Sequence, residues 1–404
     1  MSNPPFHSKF NDQNPEYTNV LGLVLTTSIY SMFQSTLSYF TNGPPHRKWS
    51  YSYYANIKLI KDCVKSMANL NIVELQSKLS KIISSPLPFD AITESFQLET
   101  SKMVIEFIKK NAPGEWPEPA NELGFINGQS ISIKGYSSDK IVLYLHGGGY
   151  YLGSAEGSSI TCYQIARESG CTVMAINYRL APKNPYPCAL IDALSAYLAL
   201  KETNGASNII LAGDSAGAGL SIATIFALRD MGEDLPAAGY LISPYLDLTH
   251  SSPSWTYNNG IDIFNDPVIS DPLLGERKHY YTTNINLKHP YVSPFWSQSF
   301  HQIPPLFIQA GQVEQLIDEI ESFVDNVVKT DGNSVILEVY EAHVHVFPLL
   351  VRHHSASQIS FQRAGEWIKN LEHIENHSTR IDLDYDGIEM EVQLLPVSEW
   401  NTNH

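Results

Sequence analysis

Residues Gly213-Asp214-Ser215-Ala216-Gly217 form a Gly-x-Ser-x-Gly pattern, and the serine at its centre is the leading candidate nucleophile of the chain. An apolar β-type run, residues 208–212, leads into the pattern, and a helix-compatible run, residues 220–228, follows it. Strand, tight turn and helix in that order are what a nucleophile elbow requires: the turn exposes the serine hydroxyl and strains its backbone. Gly213 and Gly217 are needed because a side chain at either place would strike the crossing strand or helix. The amide of Ala216, at the helix start, points at developing negative charge. The bare pattern also describes a glycine-rich turn without chemistry, and its flanking elements raise it above that.

A second group lies upstream, where the apolar run 140–145 enters His146-Gly147-Gly148-Gly149-Tyr150. A tetrahedral intermediate needs backbone N–H donors about 3 Å from its oxyanion, and side chains would block that approach. The amides of Gly148 and Gly149 are the expected donors, with Ala216 as the third, and Gly147 is expected to shape the loop. A glycine run can also cradle a phosphate, but no Lys or Arg lies within or beside this one.

In this order the two motifs resemble the hormone-sensitive-lipase-like family of α/β-hydrolases, which includes arylacetamide deacetylase-like and steryl acetyl hydrolase-like esterases. Asn177-Tyr178-Arg179-Leu180-Ala181-Pro182, the helix-like stretch that includes Asp192, Ser243-Pro244-Tyr245-Leu246-Asp247-Leu248 and His289-Pro290-Tyr291 are similar to further landmarks of that family. Lys183-Asn184 departs from it, since members usually carry an acidic residue there and often His. The resemblance covers roughly residues 125 to 372. It implies an α/β-hydrolase fold, a mostly parallel central sheet flanked by helices with an N-terminal helical cap. It also implies a catalytic triad in the order serine, acid, histidine. The family reads Gly-x-x-Asp-x-Leu-x-Asp after the acid-bearing strand, and here the segment is Gly311-Gln312-Val313-Glu314-Gln315-Leu316-Ile317-Asp318. Glu314 therefore takes the acid position, and Asp318 is the competitor, with a place in the first turn of a helix as its alternative role. After the strand-like run 335–340, the family's His-Gly-Phe or His-Val-Phe selects His345 over His343. The implied mechanism is acyl transfer. His345 takes the proton of Ser215, Glu314 orients the imidazole, and water hydrolyses the acyl-enzyme.

The resemblance implies a serine carboxylesterase acting on short to medium acyl esters of apolar alcohols. A long-chain lipase is the first alternative. A non-catalytic ligand receptor on the same fold is the second, and the presence of His345 argues against it. No metal and no cofactor are expected. The histidines at 343, 345, 353 and 354 lack a completing carboxylate or Cys cluster nearby.

The composition agrees with this. The chain has 404 residues, 43% hydrophobic and 17% charged, and a net charge of −16, which argues against nucleic acid and against anionic lipid as partners. Cys63, Cys162, Cys171 and Cys188 have no metal-like spacing. Free thiols are expected, with a Cys162–Cys171 pair as the alternative. The start, Met1-Ser2-Asn3-Pro4-Pro5, has no basic and apolar leader, so a cytoplasmic protein is expected, or one peripheral to an internal membrane or lipid droplet.

Three regions follow: an N-terminal region and helical cap (1–125), a catalytic core (126–375) and an acidic tail or small hairpin (376–404). Residues 17–46 contain no charged side chain, yet Ser, Thr and Gln interrupt the apolar residues. A cap helix is preferred there over a peripheral lipid-binding helix or a membrane span, which wants about 20 predominantly apolar residues. Apolar spacing reads as helical over 51–67, 72–79 and 96–110. The stretch 251–281, with Trp255, Tyr257 and Phe264, reads as a further piece of cap. Around Asp386-Gly387, two alternating runs suggest a hairpin or a disordered acidic tail.

Overall fold

The computed structural model describes residues 15–67, 76, 86–112, 116–263, 281–282, 287–330, 332–373 and 378–395. The strands are β1 (Ala91–Glu99), β2 (Phe125–Ile133), β3 (Ile141–Leu145), β4 (Thr172–Ile176), β5 (Ile209–Asp214), β6 (Ala238–Ile242), β7 (Leu306–Gly311), β8 (Val335–Tyr340), β9 (Thr379–Leu383) and β10 (Glu389–Leu394). The helices are α1 (Pro15–Asn42), α2 (Tyr51–Met67), α3 (Lys102–Asn111), α4 (Ser159–Ser169), α5 (Cys188–Asn204), α6 (Ala216–Met231), the one-turn α7 (Ser254–Tyr257), α8 (Ile317–Val328), the short α9 (Phe347–Leu350) and α10 (Ser355–Lys369).

Every residue of β3, β5, β6 and β7 is buried. Such continuous apolar runs belong in a sheet covered on both faces, which is where parallel strands are found. The ten-stranded sheet runs β1-β2-β4-β3-β5-β6-β7-β8-β9-β10, parallel from β4 through β9 and antiparallel at both ends. α3, α5, α6 and α8 bury their apolar residues on one face, and α4 and α10 on the other. The strand order reverses at β3. Loops after β3 and β5 therefore diverge and leave a crevice at the carboxyl ends of the strands, where open α/β sheets bind ligands.

The sheet extends beyond the expected core on both sides. Residues 96–99 are strand and not helix: β1 pairs with β2 along its whole length, and the Phe96 ring lies over Gly128. The helical spacing becomes a helix only at α3, where the Ser101 side chain accepts from the amide of Val104. Cross-strand pairing here overrides the local pattern. At the other end β9 lies parallel to β8, and β10 folds back on β9. In the connecting turn Asp384 accepts the amides of Asp386 and Ile388 at 3.0 and 2.8 Å.

α1 packs on α2 through Tyr39 against Tyr51 and Tyr54. Tyr30, Phe33, Leu37 and Phe40 of α1 remain exposed. Among the described residues no helix is long and apolar enough to cross a membrane. α2 continues the cap onto the sheet: Trp49, Tyr53 and Ile57 form a cluster with Ala342, Val344, Phe347 and Leu383. Except for Gln76, the helix read over 72–79 lies outside the described residues, as does Phe264. All four cysteines are free, so Cys162 and Cys171 do not pair. Trp255 stacks on His250 at 3.8 Å, and both Trp255 and Tyr257 hydrogen-bond to carboxylates of α8, so packing accounts for these two aromatics.

Candidate active site

The parallel pairing of β3 with β5 sets Leu145 beside Gly213, which brings the His-Gly-Gly-Gly loop next to the serine. Ser215 sits between β5 and α6 with φ 52° and ψ −121°, a left-handed conformation that a non-glycine residue holds only under constraint. The constraint is visible. The Ser215 amide donates to Ile242 O at 2.9 Å, and its carbonyl accepts from Gly219 and Tyr245, both at 3.0 Å. A Cβ at Gly213 or Gly217 would collide with the Leu145 carbonyl, so β3 and α6 can cross only over glycine.

Asp214, the residue before the serine, reaches back to the glycine loop. One carboxylate oxygen accepts from the Gly147 amide at 2.9 Å and from the Tyr144 hydroxyl at 2.6 Å. The N–H of Gly147 is thereby used in shaping the loop. Gly148 and Gly149 have φ 113° and 63°. Among the described residues none accepts from the amides of Gly148, Gly149 or Ala216. The loop is braced from outside as well. The Tyr178 ring stacks on His146 at 4.3 Å, and its hydroxyl donates to the His146 carbonyl at 2.6 Å. His146 Nδ1 faces the Gly147 carbonyl at 2.8 Å, an acceptor, so Nδ1 carries the proton. Burial pushes this histidine down to about 4 and keeps it neutral. Arg179, the next residue of the Tyr-Arg-Leu-Ala-Pro segment, pairs with buried Asp192 at 2.8–3.0 Å.

The second half of the site stands two strands away, where β7 and β8 pair with Gly311 beside Tyr340. Glu314 follows β7 and His345 follows β8. Both are buried, and His345 Nδ1 lies 3.0 Å from Glu314 Oε2. Asp318 turns elsewhere: it accepts the Ser254 amide at 2.7 Å and the Tyr257 hydroxyl, and so fastens α7 to α8. Burial is the main influence on the pair and disfavours isolated charge on either partner. It pushes Glu314 up, against the pull of Ser243 and the Gly311 backbone. It pushes His345 down to about 4, opposed by the charges of Asp262 and Asp214. At neutral pH the imidazole is uncharged, the form a general base needs.

Four further residues support the site, and of these Asp262 and Tyr53 lie in no motif. Ser243, at the end of β6 with φ 46°, accepts the Val346 amide at 3.0 Å. Asp262 accepts the His345 amide at 2.9 Å. His343 joins three chain segments: Nδ1 lies 3.1 Å from the Tyr53 hydroxyl of α2, and Nε2 3.0 Å from the Tyr385 carbonyl of the hairpin turn. Tyr53 also accepts the Val344 amide at 3.3 Å. Nothing in the spacing of the sequence marks these contacts. The histidine pair 343 and 345 was the one visible signal, and the structure gives its members different partners.

Residues 142–349 match the family described as having an alpha/beta hydrolase fold. An acetyl-hydrolase of Streptomyces hygroscopicus is 34% identical over 234 residues, covering 58% of this chain and 71% of the relative. An esterase of Acinetobacter venetianus is 32% identical over 211 residues, covering 52% of this chain and 68% of the relative. Among solved structures, an esterase from the bacterial hormone-sensitive lipase family superposes with TM-score 0.60 at 26% identity, covering 89% of this chain and 99% of that one. An esterase/lipase from an uncultured bacterium gives TM-score 0.65 at 25% identity, covering 78% and 98%. The chain belongs to the hormone-sensitive-lipase-like esterase and lipase family of α/β-hydrolases. Its activity is ester hydrolysis of the serine-hydrolase type.

Proposed function

We propose that the protein is a serine carboxylesterase that cleaves short to medium acyl esters of apolar alcohols, with Ser215 as nucleophile, His345 as base and Glu314 as its orienting acid. The observation that carries this reading is the 3.0 Å contact between His345 Nδ1 and Glu314 Oε2, at the same sheet end as the strained serine. With Nδ1–H donated to the carboxylate, Nε2 is the basic nitrogen. It takes the hydroxyl proton as Oγ attacks the ester carbonyl. The oxyanion is received by the amides of Gly148, Gly149 and Ala216. His345 then protonates the leaving alcohol, and water, activated by the same imidazole, releases the acid. Glu314 and the charges of Asp262 and Asp214 favour the imidazolium that forms in between. The short-acyl preference takes support from the acetyl-hydrolase relative, and a neutral, apolar alcohol is compatible with the net charge of −16.

A series of nitrophenyl esters from acetate to palmitate tests the proposal. The expected result is a kcat/KM maximum at short acyl chains, and a maximum at palmitate refutes it. For the best ester, kcat/KM should rise with pH as His345 loses its proton, with the acid limb well below the ordinary imidazole value because burial lowers that group. A kcat/KM that does not fall at all through the acid range would contradict the assignment of His345 as the base.

A further inference from the structure

The turn after α7 contributes a carboxylate that is not part of the triad. Asp262 is fully buried, and both of its oxygens are engaged by backbone amides. Oδ1 accepts from His345 at 2.9 Å and from Ile263 at 2.7 Å, and Oδ2 accepts from Gln315 at 2.7 Å. Four residues earlier in the same turn, Asn258 Nδ2 donates to the carbonyl of Glu314 at 2.9 Å. The Glu314 carbonyl and the Gln315 amide are the two polar groups of one peptide plane. The turn therefore grips the peptide that follows the acid from both sides, and the carboxylate that holds its N–H also holds the amide of the base.

We propose that Asp262 is a positioning residue of the ester hydrolysis, which fixes the distance between Glu314 and His345 and places a second negative charge beside the imidazole. The proposal rests on the reading of His345 as the base. Its geometric half follows from leverage: Glu314 and His345 sit on separate loops, after β7 and β8, and one carboxylate spans both. A carboxylate fits this place because three donors converge on it, and a rigid acceptor-only group satisfies them all. Its electrostatic half follows from the surroundings of the imidazole. Among the described residues, the ionisable groups that act on His345 include Glu314 from the loop after β7, Asp214 from the end of β5, and Asp262 itself. Tyr53 of α2 faces Asp262 and stays protonated. Burial pushes the Asp262 carboxyl up, against the pull of the imidazole and of the amides of His345 and Gln315. Where Asp262 is ionised it favours the imidazolium, so removal of its charge lowers the His345 pKa still further.

The test compares Asp262→Asn and Asp262→Glu in the full chain. Asn keeps one acceptor but turns an N–H₂ group toward the Gln315 amide and carries no charge. It should lower kcat by on the order of 10- to 100-fold, the scale of a misplaced catalytic group, with KM within about twofold. It should also move the acid limb of kcat/KM to lower pH by about one unit. Glu keeps the charge but cannot seat all three amides, so kcat falls while the limb stays within a few tenths of a unit of the parent. An Asn variant with parental kcat and an unmoved limb overturns the proposal, as does a Glu variant with parental kcat. Should Asn fail to fold, the Glu variant alone decides the positional claim. A serine-directed phosphonate separates this from the triad. A wild-type enzyme that is not labelled at Ser215 removes the triad reading. A labelled wild type with Asp262→Asn labelled at the same rate removes only the role of Asp262.

Discussion

The two halves of the proposed active site are built from different materials. The nucleophile side, at the ends of β3 and β5, is made of backbone. Glycines let the chains cross over the Leu145 carbonyl, Ser215 is held by main-chain hydrogen bonds, and the expected oxyanion donors are amides. Of its side-chain clasps, Asp214 grips the glycine loop through the Gly147 amide and β3 through the Tyr144 hydroxyl, and Tyr178 braces the His146 carbonyl. The base side, at the ends of β7 and β8, is held by groups that arrive from far along the chain, two of them side chains and one, on Tyr385, a main-chain carbonyl. Asp262 comes from the turn after α7, Tyr53 from α2 and Tyr385 from the hairpin turn. The family match, 142–349, contains the whole nucleophile side, whereas two of these three supports lie beyond it. A site can thus keep its reacting half in local motifs and leave the alignment of its proton-transfer half to peripheral segments.

Three substitutions sharpen or break this contrast. The largest effect is expected from Ser215→Ala, with kcat on a short nitrophenyl ester falling by on the order of 10⁵-fold or more. Near-full activity would dissolve the nucleophile side altogether. Next is Gly148→Ala. Its φ of 113° and the nearby Leu152 backbone leave no room for a Cβ, so the loop must shift and carry its amide away. Losing one oxyanion donor should lower kcat by about 10²- to 10³-fold, with KM little changed. A fall in KM affinity alone would place this glycine in substrate binding. The smallest effect belongs to Tyr53→Phe. It removes the hydroxyl that serves His343 and Val344, so the loss of these two hydrogen bonds, acting at a distance, should cost about tenfold or less in kcat, with a lower melting temperature. If Tyr53→Phe cost as much as Gly148→Ala, the base side would be no more peripheral than the nucleophile side.

The same contrast explains which parts of the molecule were legible in the sequence. Ser215 and the glycine loop could be read because their geometry is encoded within a few residues of each motif. The continuous apolar runs of β3 and β5 could be read for the same reason, since each leads directly into its motif. Glu314 and His345 were reachable only through resemblance, since the contact between them spans two loops. Asp262 could not be found at all. A single aspartate near Asn258-Asn259-Gly260 looks like ordinary turn chemistry until the loops after β7 and β8 are brought to it. β1 misled for a related reason. Its Phe96 and Leu98 joined a helical spacing with residues of α3, and only pairing with β2 separates the two elements.

His343 also has a use as a built-in reporter. The Tyr385 carbonyl can only accept, so Nε2 must carry the ring proton, and Nδ1 must accept from the Tyr53 hydroxyl. Burial pushes this imidazole down to about 3 and keeps it neutral, so acidity near neutrality does not change its tautomer. The ring therefore has a fixed nitrogen signature and a slowly exchanging Nε2 proton for as long as α2 and the hairpin both stay docked. Release of either segment frees one nitrogen, and the two cases differ in which one. Nitrogen-15 spectra of this single residue would thus tell an undocked cap from an undocked C-terminal hairpin while the sheet between them remains intact.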